Sequence, residues 1–484
     1  MYSRSYRLEI LFSLGYSDED SDMIGIGDLH RGEDLSSRKI VSYEPKSPTT
    51  NRDDEVINET MEVLILAHKA PLMSAREFAR TLDSWFQNAM IRWSDSPTIP
   101  TNNQIPPLYL RIRTDDSGEF WRSEILGGKV ELGEQGMSSP HNYRAGHTKL
   151  VITFTRKPYF EGERDQIPLR NLHHPNSTTN WVRVDDKSDG QNFTNKVSID
   201  PQYIVGSRRP PVEIHFRKLD DGTNVQITNI HVGHSIYASD MNTIIEAEDA
   251  ETGANNIIAH TDASSGQYVQ HDWDFTTEFL ANRWLIPAEL VHQSRGTVFQ
   301  LYVRLFNSVG LPLNDPYQVR FKLSINVGDP LNVDGHYFPI ESGKYLRAGQ
   351  LTLPPYNFSS IGAGQFDSLQ LDMFLKRNST TNTISLDCLH LIPISDGSRI
   401  LTPRGFNLQP DQVLVDNGLV DETYTIHSEN GIDSIFGYYY STGHINVMPN
   451  HQQELFFWLE SNGLASIPRG VEVKMYYRPR RTTI

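Results

Sequence analysis

The residues best equipped for chemistry in this chain are one cysteine, 17 histidines and 60 carboxylates. Cys388 stands in the run Ile384-Ser385-Leu386-Asp387-Cys388-Leu389-His390-Leu391-Ile392. That run reads as a sandwich strand, where a thiol is normally a small, inert hydrophobe. A single cysteine also excludes an internal disulfide framework. Nucleophilic or metal-assisted hydrolysis leaves recognisable spacings, and none occurs: there is no Gly-x-Ser-x-Gly elbow, His-Glu-x-x-His helix, phosphate-binding loop or Cys-x-x-Cys pair. Gly25-Ile26-Gly27 lacks the third glycine and the strand–helix setting of a dinucleotide site. His231 and His234, and the pair His173-His174, come without further ligands at metal spacing. Paired carboxylates are abundant, but nothing marks any pair as the acid and base of a glycosidase. These residues indicate a protein that is not an enzyme.

The elements that would position any site come from a chain of 484 residues, with 38% hydrophobic and 21% charged residues. That is an ordered composition, and the length suggests roughly three domains at about 150 residues each. The formal net charge of −16 argues against a nucleic-acid reader, which needs a basic footprint. No apolar run approaches the roughly 18 residues that insert into a membrane. Tyr6-Arg7-Leu8-Glu9-Ile10-Leu11-Phe12 is short and charged, so it reads as a first strand and not a signal peptide. Synthesis in a reducing cytoplasm is the expectation.

One helix is expected, over 75–93. Ser74-Ala75-Arg76-Glu77 forms a capping box, and Phe78, Leu82, Trp85/Phe86, Ala89/Met90 and Trp93 recur at helical spacing. The Phe78/Leu82/Trp85/Met90 side is expected to pack on a sheet. Strands flank it: Met61–Ala67 as a doubly buried run, then Leu108, Leu110 and Ile112 alternating with Tyr109, Arg111 and Arg113, followed by Phe120–Leu126, Gly127-Gly128, Lys129–Leu132 and Lys149–Arg156. The stretch 17–52, rich in Asp, Glu, Ser and Pro, reads as a long polar loop or arm.

The order of strand, amphipathic helix, "LYLRI", "FWRSEILGGKVEL" and "LVITFTRKPYFEG" resembles the N-terminal tube-type domain of phage distal-tail and related tail proteins. The resemblance spans roughly 1–165. It implies a small β-sandwich or split barrel with one packed helix, assembling side by side into rings of identical subunits within a virion. It also implies contacts with other tail proteins. The 17–52 stretch departs from that pattern; in a ring-forming protein such a loop could reach a neighbouring subunit or ring, the alternative being local disorder.

From 166 to 395 many short strands punctuated by turns predict a jelly-roll β-sandwich. Among them are Val212–Arg217, Val225–Val232 with Asp220-Asp221-Gly222 as the hairpin turn, Phe299–Leu305, Val319–Leu323 and Leu369–Leu375. Within it, "IIEAEDA", "SSGQYV" and "ISLDCLHLIP" are similar to the edges of a carbohydrate-binding jelly-roll family. That resemblance implies a structural Ca²⁺ held by Glu246, Glu248 and Asp387, hard oxygen ligands that suit the ion. The alternative for Glu246 and Glu248 is one solvent-facing side of a strand. Tyr268 and Trp273 are candidates for stacking on sugar rings of host surface glycans, against the commoner role of core aromatics. Residues 396–484 are expected to form a small C-terminal β region, ending in the basic Arg478-Pro479-Arg480-Arg481, which could seat against an acidic neighbour. The fold expected is mainly β, with an adhesive carbohydrate-binding protein as the alternative function.

Overall fold

The computed structural model describes residues 8–482, apart from 16–22, 29–37, 47–55, 67–74, 95–104, 115–118, 133–146, 172–180, 219–226, 237–242, 291–296, 308–316, 354–368, 404–407, 462–469 and several shorter breaks. The protein is mainly β, with one α-helix among the described residues. Two compact units are present: 1–165 with 205–209 and 478–484, and 166–204 with 210–477. No helix among the described residues is long and apolar enough to cross a membrane.

The N-terminal unit is built on a nine-stranded antiparallel sheet. Its main path runs Met23–Asp28, Leu8–Leu14, Leu108–Thr114, Phe120–Leu132, His147–Arg156, Ile57–Leu66, Arg38–Ser42, and the two end strands lie beside each other. Alternation sorts the faces: Ile10 and Phe12, Leu108, Leu110 and Ile112, Met61, Val63 and Ile65, and Leu150, Ile152 and Phe154 share one core. The helix Ala75–Ser94 covers that core. Its Phe78, Leu82, Phe86 and Ala89 are buried, and Phe12 meets Phe86 edge-on at 5.7 Å. Trp85 is only partly buried, while Met90 (48%), Ile91 (45%) and Trp93 (55%) are exposed. The packed row is therefore 78/82/86/89, and Met90, one residue beyond Ala89, is turned roughly 100° further round the axis. Ser74 lies outside the described residues. The helix approaches the sheet at Gly127-Gly128, where a Cβ on Gly128 would come within 2.7 Å of the Thr153 carbonyl oxygen and 3.0 Å of the Phe86 ring.

Within the stretch 17–52 two segments are strands of this sheet. Met23–Asp28 pairs with Leu8–Leu14, and Arg38–Ser42 pairs with Ile57–Leu66. Polar flanks mask two short strands whose backbone groups complete the sheet. Beyond them, the Tyr43 hydroxyl donates to Glu59 at 2.6 Å and the Lys46 amide donates to it at 2.8 Å. Glu59 is fully buried against Arg156 at 2.7 Å.

The basic segment at 478–481 also stays within its own chain. Arg480-Arg481 forms a strand antiparallel to Phe160-Glu161. Arg480 is paired with Glu161 at 2.6 Å and lies over Tyr159 at 4.0 Å, while Arg481 lies over Trp121 at 4.3 Å.

The second unit holds two sandwiches, one inserted in the other. The outer one pairs a six-stranded sheet, ordered 169–170, 196–199, 453–461, 227–235, 398–403, 439–441, with a seven-stranded sheet that includes 182–185, 470–477, 212–218 and 412–417. Residues 244–393 form the inserted sandwich, a six-stranded sheet facing a five-stranded one. The division into 166–395 and 396–484 thus gives way to a different one. Strands near the C-terminus pair with strands before the insertion, as in Val212–Lys218 with Gly470–Tyr477 and Ile227–Ser235 with Gln453–Ser461. Asp220-Asp221-Gly222 and His173-His174 lie outside the described residues.

Gln453–Ser461 joins the two sandwiches. Leu455, Phe457 and Leu459 point into the outer core, and Phe456 and Trp458 into the inserted core. Period-two alternation with both faces buried explains its unbroken apolar run. Tyr302 of the inserted sandwich stacks on Trp458 at 4.9 Å and shares a 2.6 Å hydrogen bond with His231. Burial, with Arg347 nearby, pushes the His231 imidazole down to about 3, so this ring stays neutral. His234 is also structural, bonded to Gln453 at 2.9 Å.

Candidate functional site

The one group of metal-capable side chains gathered by the fold, among the described residues, is Glu246, Asp387 and Cys388, all buried. Strand alternation alone would put Asp387 and Cys388 on opposite faces. A β-bulge prevents this: Arg304 pairs with Cys388 and Leu305 with Leu386, leaving Asp387 as the extra residue of Asn382–Pro393. Bulges re-aim side chains in this way. The short strand Ile244–Glu246 pairs on the other side, setting Glu246 against Cys388. The Trp284 indole N–H donates to the Glu246 carbonyl at 2.8 Å and the Ala247 amide to the Asp387 carbonyl at 3.0 Å.

Each carboxylate meets donors. Asp387 Oδ2 lies 3.1 Å from Arg304 Nη1, with both side chains inaccessible to solvent. Asp387 Oδ1 accepts from the Ser264 amide at 2.9 Å. Glu246 Oε1 accepts from the Ser264 hydroxyl at 2.8 Å and from the Ser188 hydroxyl. Glu248, half-buried, accepts from the Ser265 hydroxyl. Ser265 has φ 51°, a left-handed conformation that costs a non-glycine residue of order 1 kcal/mol; the contact to Glu248 rests on it.

Ser188 comes from the hairpin Ser188-Asp189/Asn192-Phe193 of the outer sandwich. Its amide also donates to Ser264 at 3.0 Å, and Lys187 Nζ donates to the Thr261 carbonyl at 3.2 Å. The acidic cluster therefore lies under a clasp between the two sandwiches.

Burial raises the Glu246 carboxyl to about 8; the Ser188 and Ser264 hydroxyls oppose that rise, and the Asp387 and Glu248 charges add to it. Burial and the Asp387 charge likewise push the Cys388 thiol well up, so it is no nucleophile. Because the folded state holds the Glu246 proton more tightly than the unfolded chain, its stabilising contribution is full below about pH 4.5. It falls as pH rises and is gone above about 8. The expected loss is on the order of 5 kcal/mol across that window. Urea unfolding between pH 5.5 and 8.5 should show it, and Glu246→Gln should flatten the decline. An unchanged slope in that variant would remove Glu246 as its source.

Of the expected calcium ligands, Glu246 and Asp387 are brought together, and Glu248 reaches the same serine loop through Ser265. The donors around these residues compete with a calcium ion for their oxygens. Calcium takes about six to eight oxygen ligands, whereas here an amide and hydroxyls donate to the carboxylates and the Arg304 guanidinium stands 3.1 Å from Asp387 Oδ2. Glu246 Oε2 and Glu248 Oε2 are buried oxygens without a protein hydrogen bond, and so is Asp387 Oδ2, which is met by the Arg304 charge at 3.1 Å. Arg304, Ser188, Ser264 and Ser265 were not legible as site residues. Arg304 sits in Phe299–Leu305 at a position that alternation assigns to one face, and an arginine there reads as outward-facing.

Tyr268 is half-buried and stacked on Phe306 at 4.3 Å, so one face of its ring is occupied. Trp273 pairs through its backbone with Asn382.

No family model matches the sequence, and no curated protein matches it. Among solved structures, similarity is found to infectious bursal disease virus. The Gx strain structure matches with 8% identity over 66% of this chain and 79% of that one, at a TM-score of 0.16. The virus's T13 particle matches with 8% identity over the same shares, at 0.15. At these scores the likeness carries no argument about the fold or the function.

Proposed function

We propose that this chain is a non-enzymatic structural subunit of a virion, assembling with identical copies into a ring at the distal end or along the tube of a phage tail, alongside other tail proteins. The N-terminal unit carries the reading. Its curved antiparallel sheet with one packed helix follows the strand–helix–strand order of the tube-type domains that residues 1–165 resemble. The exposed Met90, Ile91 and Trp93 give this helix an apolar outer surface of the kind that subunits bury between them. Met23–Asp28 and Arg38–Ser42, within the 17–52 stretch, belong to the sheet, and the helix surface and the sheet ends offer further contact.

Electron microscopy and light scattering of the full chain over rising concentration test this. Rings or short tubes are expected, and Trp93→Glu should disperse them without lowering the melting temperature. A chain that stays monomeric at every concentration overturns the proposal.

A further inference from the structure

We infer that Arg304 is the built-in cation of the inserted sandwich: its guanidinium takes the role that a divalent ion would have among Glu246, Asp387 and Cys388, making the cluster independent of metal. The bulge at Asp387 turns that carboxylate onto the side where Arg304 lies, 3.1 Å away with neither side chain reached by solvent. The Asp387 carboxylate, with ligand atoms of Glu246 and Cys388 within 4.8 Å, carries a negative charge that the interior does not tolerate unpaired. The guanidinium meets that charge from within the chain. The remaining contacts are donors: the Ser264 amide on Asp387, the Ser188 and Ser264 hydroxyls on Glu246, and the Ser265 hydroxyl on Glu248. These hydrogens occupy one oxygen of each carboxylate, Arg304 faces the second oxygen of Asp387, and a fixed cation there repels a second one.

The same cluster receives Ser188 from the outer sandwich. Arg304 therefore also supports the clasp between the two sandwiches, a task elsewhere given to structural metals.

Thermal melts of the purified chain in EDTA, in Ca²⁺ and in Zn²⁺ test the inference. The native chain is expected to melt within about a degree in all three, since an ion that does not bind cannot shift the folding equilibrium. Arg304→Met should melt lower and be partly restored by Ca²⁺ or Zn²⁺, whereas Arg304→Lys, which keeps a positive charge, should remain indifferent to both. A native chain whose melting temperature rises in Ca²⁺ and falls in EDTA overturns the inference in favour of a bound calcium. A folded Arg304→Met indifferent to both ions overturns the equivalence of guanidinium and metal. Should Arg304→Met fail to fold, the native and Arg304→Lys melts decide alone.

Discussion

Arg156→Met should lower the stability of the N-terminal unit by about 3–5 kcal/mol, because removing one partner of a buried ion pair strands the other. Arg156 and Glu59 are 0% and 1% exposed and 2.7 Å apart. Arg156 also donates to the Lys46 carbonyl at 2.8 Å and the Lys157 carbonyl at 2.9 Å, and lies over the Phe160 ring at 4.3 Å. Glu59 in turn receives Tyr43 and the Lys46 amide, so the pair ties the segment after Arg38–Ser42 to the strands Ile57–Leu66 and His147–Arg156. Without the guanidinium, a carboxylate remains in the core with only neutral donors. Adding Glu59→Gln keeps an acceptor for the Lys46 amide, offers the Tyr43 hydroxyl oxygen an amide N–H to accept from, and removes the stranded charge. The double variant should therefore regain most of the loss. Urea denaturation of both variants gives the answer: a double variant no more stable than Arg156→Met would place the cost in lost packing rather than in the stranded charge.

Deleting 478–484 should destabilise the N-terminal unit by on the order of 4 kcal/mol and leave the two sandwiches standing. The deletion removes the strand paired with Phe160-Glu161, the Gly162 amide bond to the Pro479 carbonyl at 2.9 Å and the Ser207 amide bond to the Arg480 carbonyl at 2.8 Å. It also removes the Arg480–Glu161 pair and the cover that Arg481 gives Trp121. Each hydrogen bond contributes about 1 kcal/mol net, and the donors and acceptors left behind add to the cost. Calorimetry should show the transition of the N-terminal unit moving down while that of the second unit holds. If neither transition moves, the segment is held only loosely.

Much of this architecture was legible in the sequence, because periodicity reports which face of an element is buried. Phe78, Leu82, Phe86 and Ala89 mark a helix, and Leu108, Leu110 and Ile112 mark a strand, by spacing alone. Spacing does not report which strand lies alongside. The pairing of 212–218 with 470–477 across an inserted sandwich therefore left no local trace. Leu455 to Leu459 announced burial on both sides, but not that the two sides belong to different cores. Within 17–52, Ile24, Ile26 and Ile40 are too few among acids and serines to mark strands. The acidic cluster was half legible. Glu246 and Asp387 were singled out through a resemblance, but the bulge that re-aims Asp387, and Arg304 as its counter-charge, depend on a register that no motif encodes.

The return of 478–484 to the N-terminal unit has a consequence for how the protein is made. Phe160-Glu161 leaves the ribosome roughly 300 residues before its partner Arg480-Arg481. At translation rates of about 5–20 residues per second, that interval is on the order of 15–60 seconds. During it the N-terminal sheet has an unfilled edge while the sandwiches are still being synthesised. Such an edge is a template for pairing with other nascent copies on the same message. The segment 478–484 thus acts as a late-arriving cap, and a ribosome stalled shortly before it would display an N-terminal unit prone to mispair.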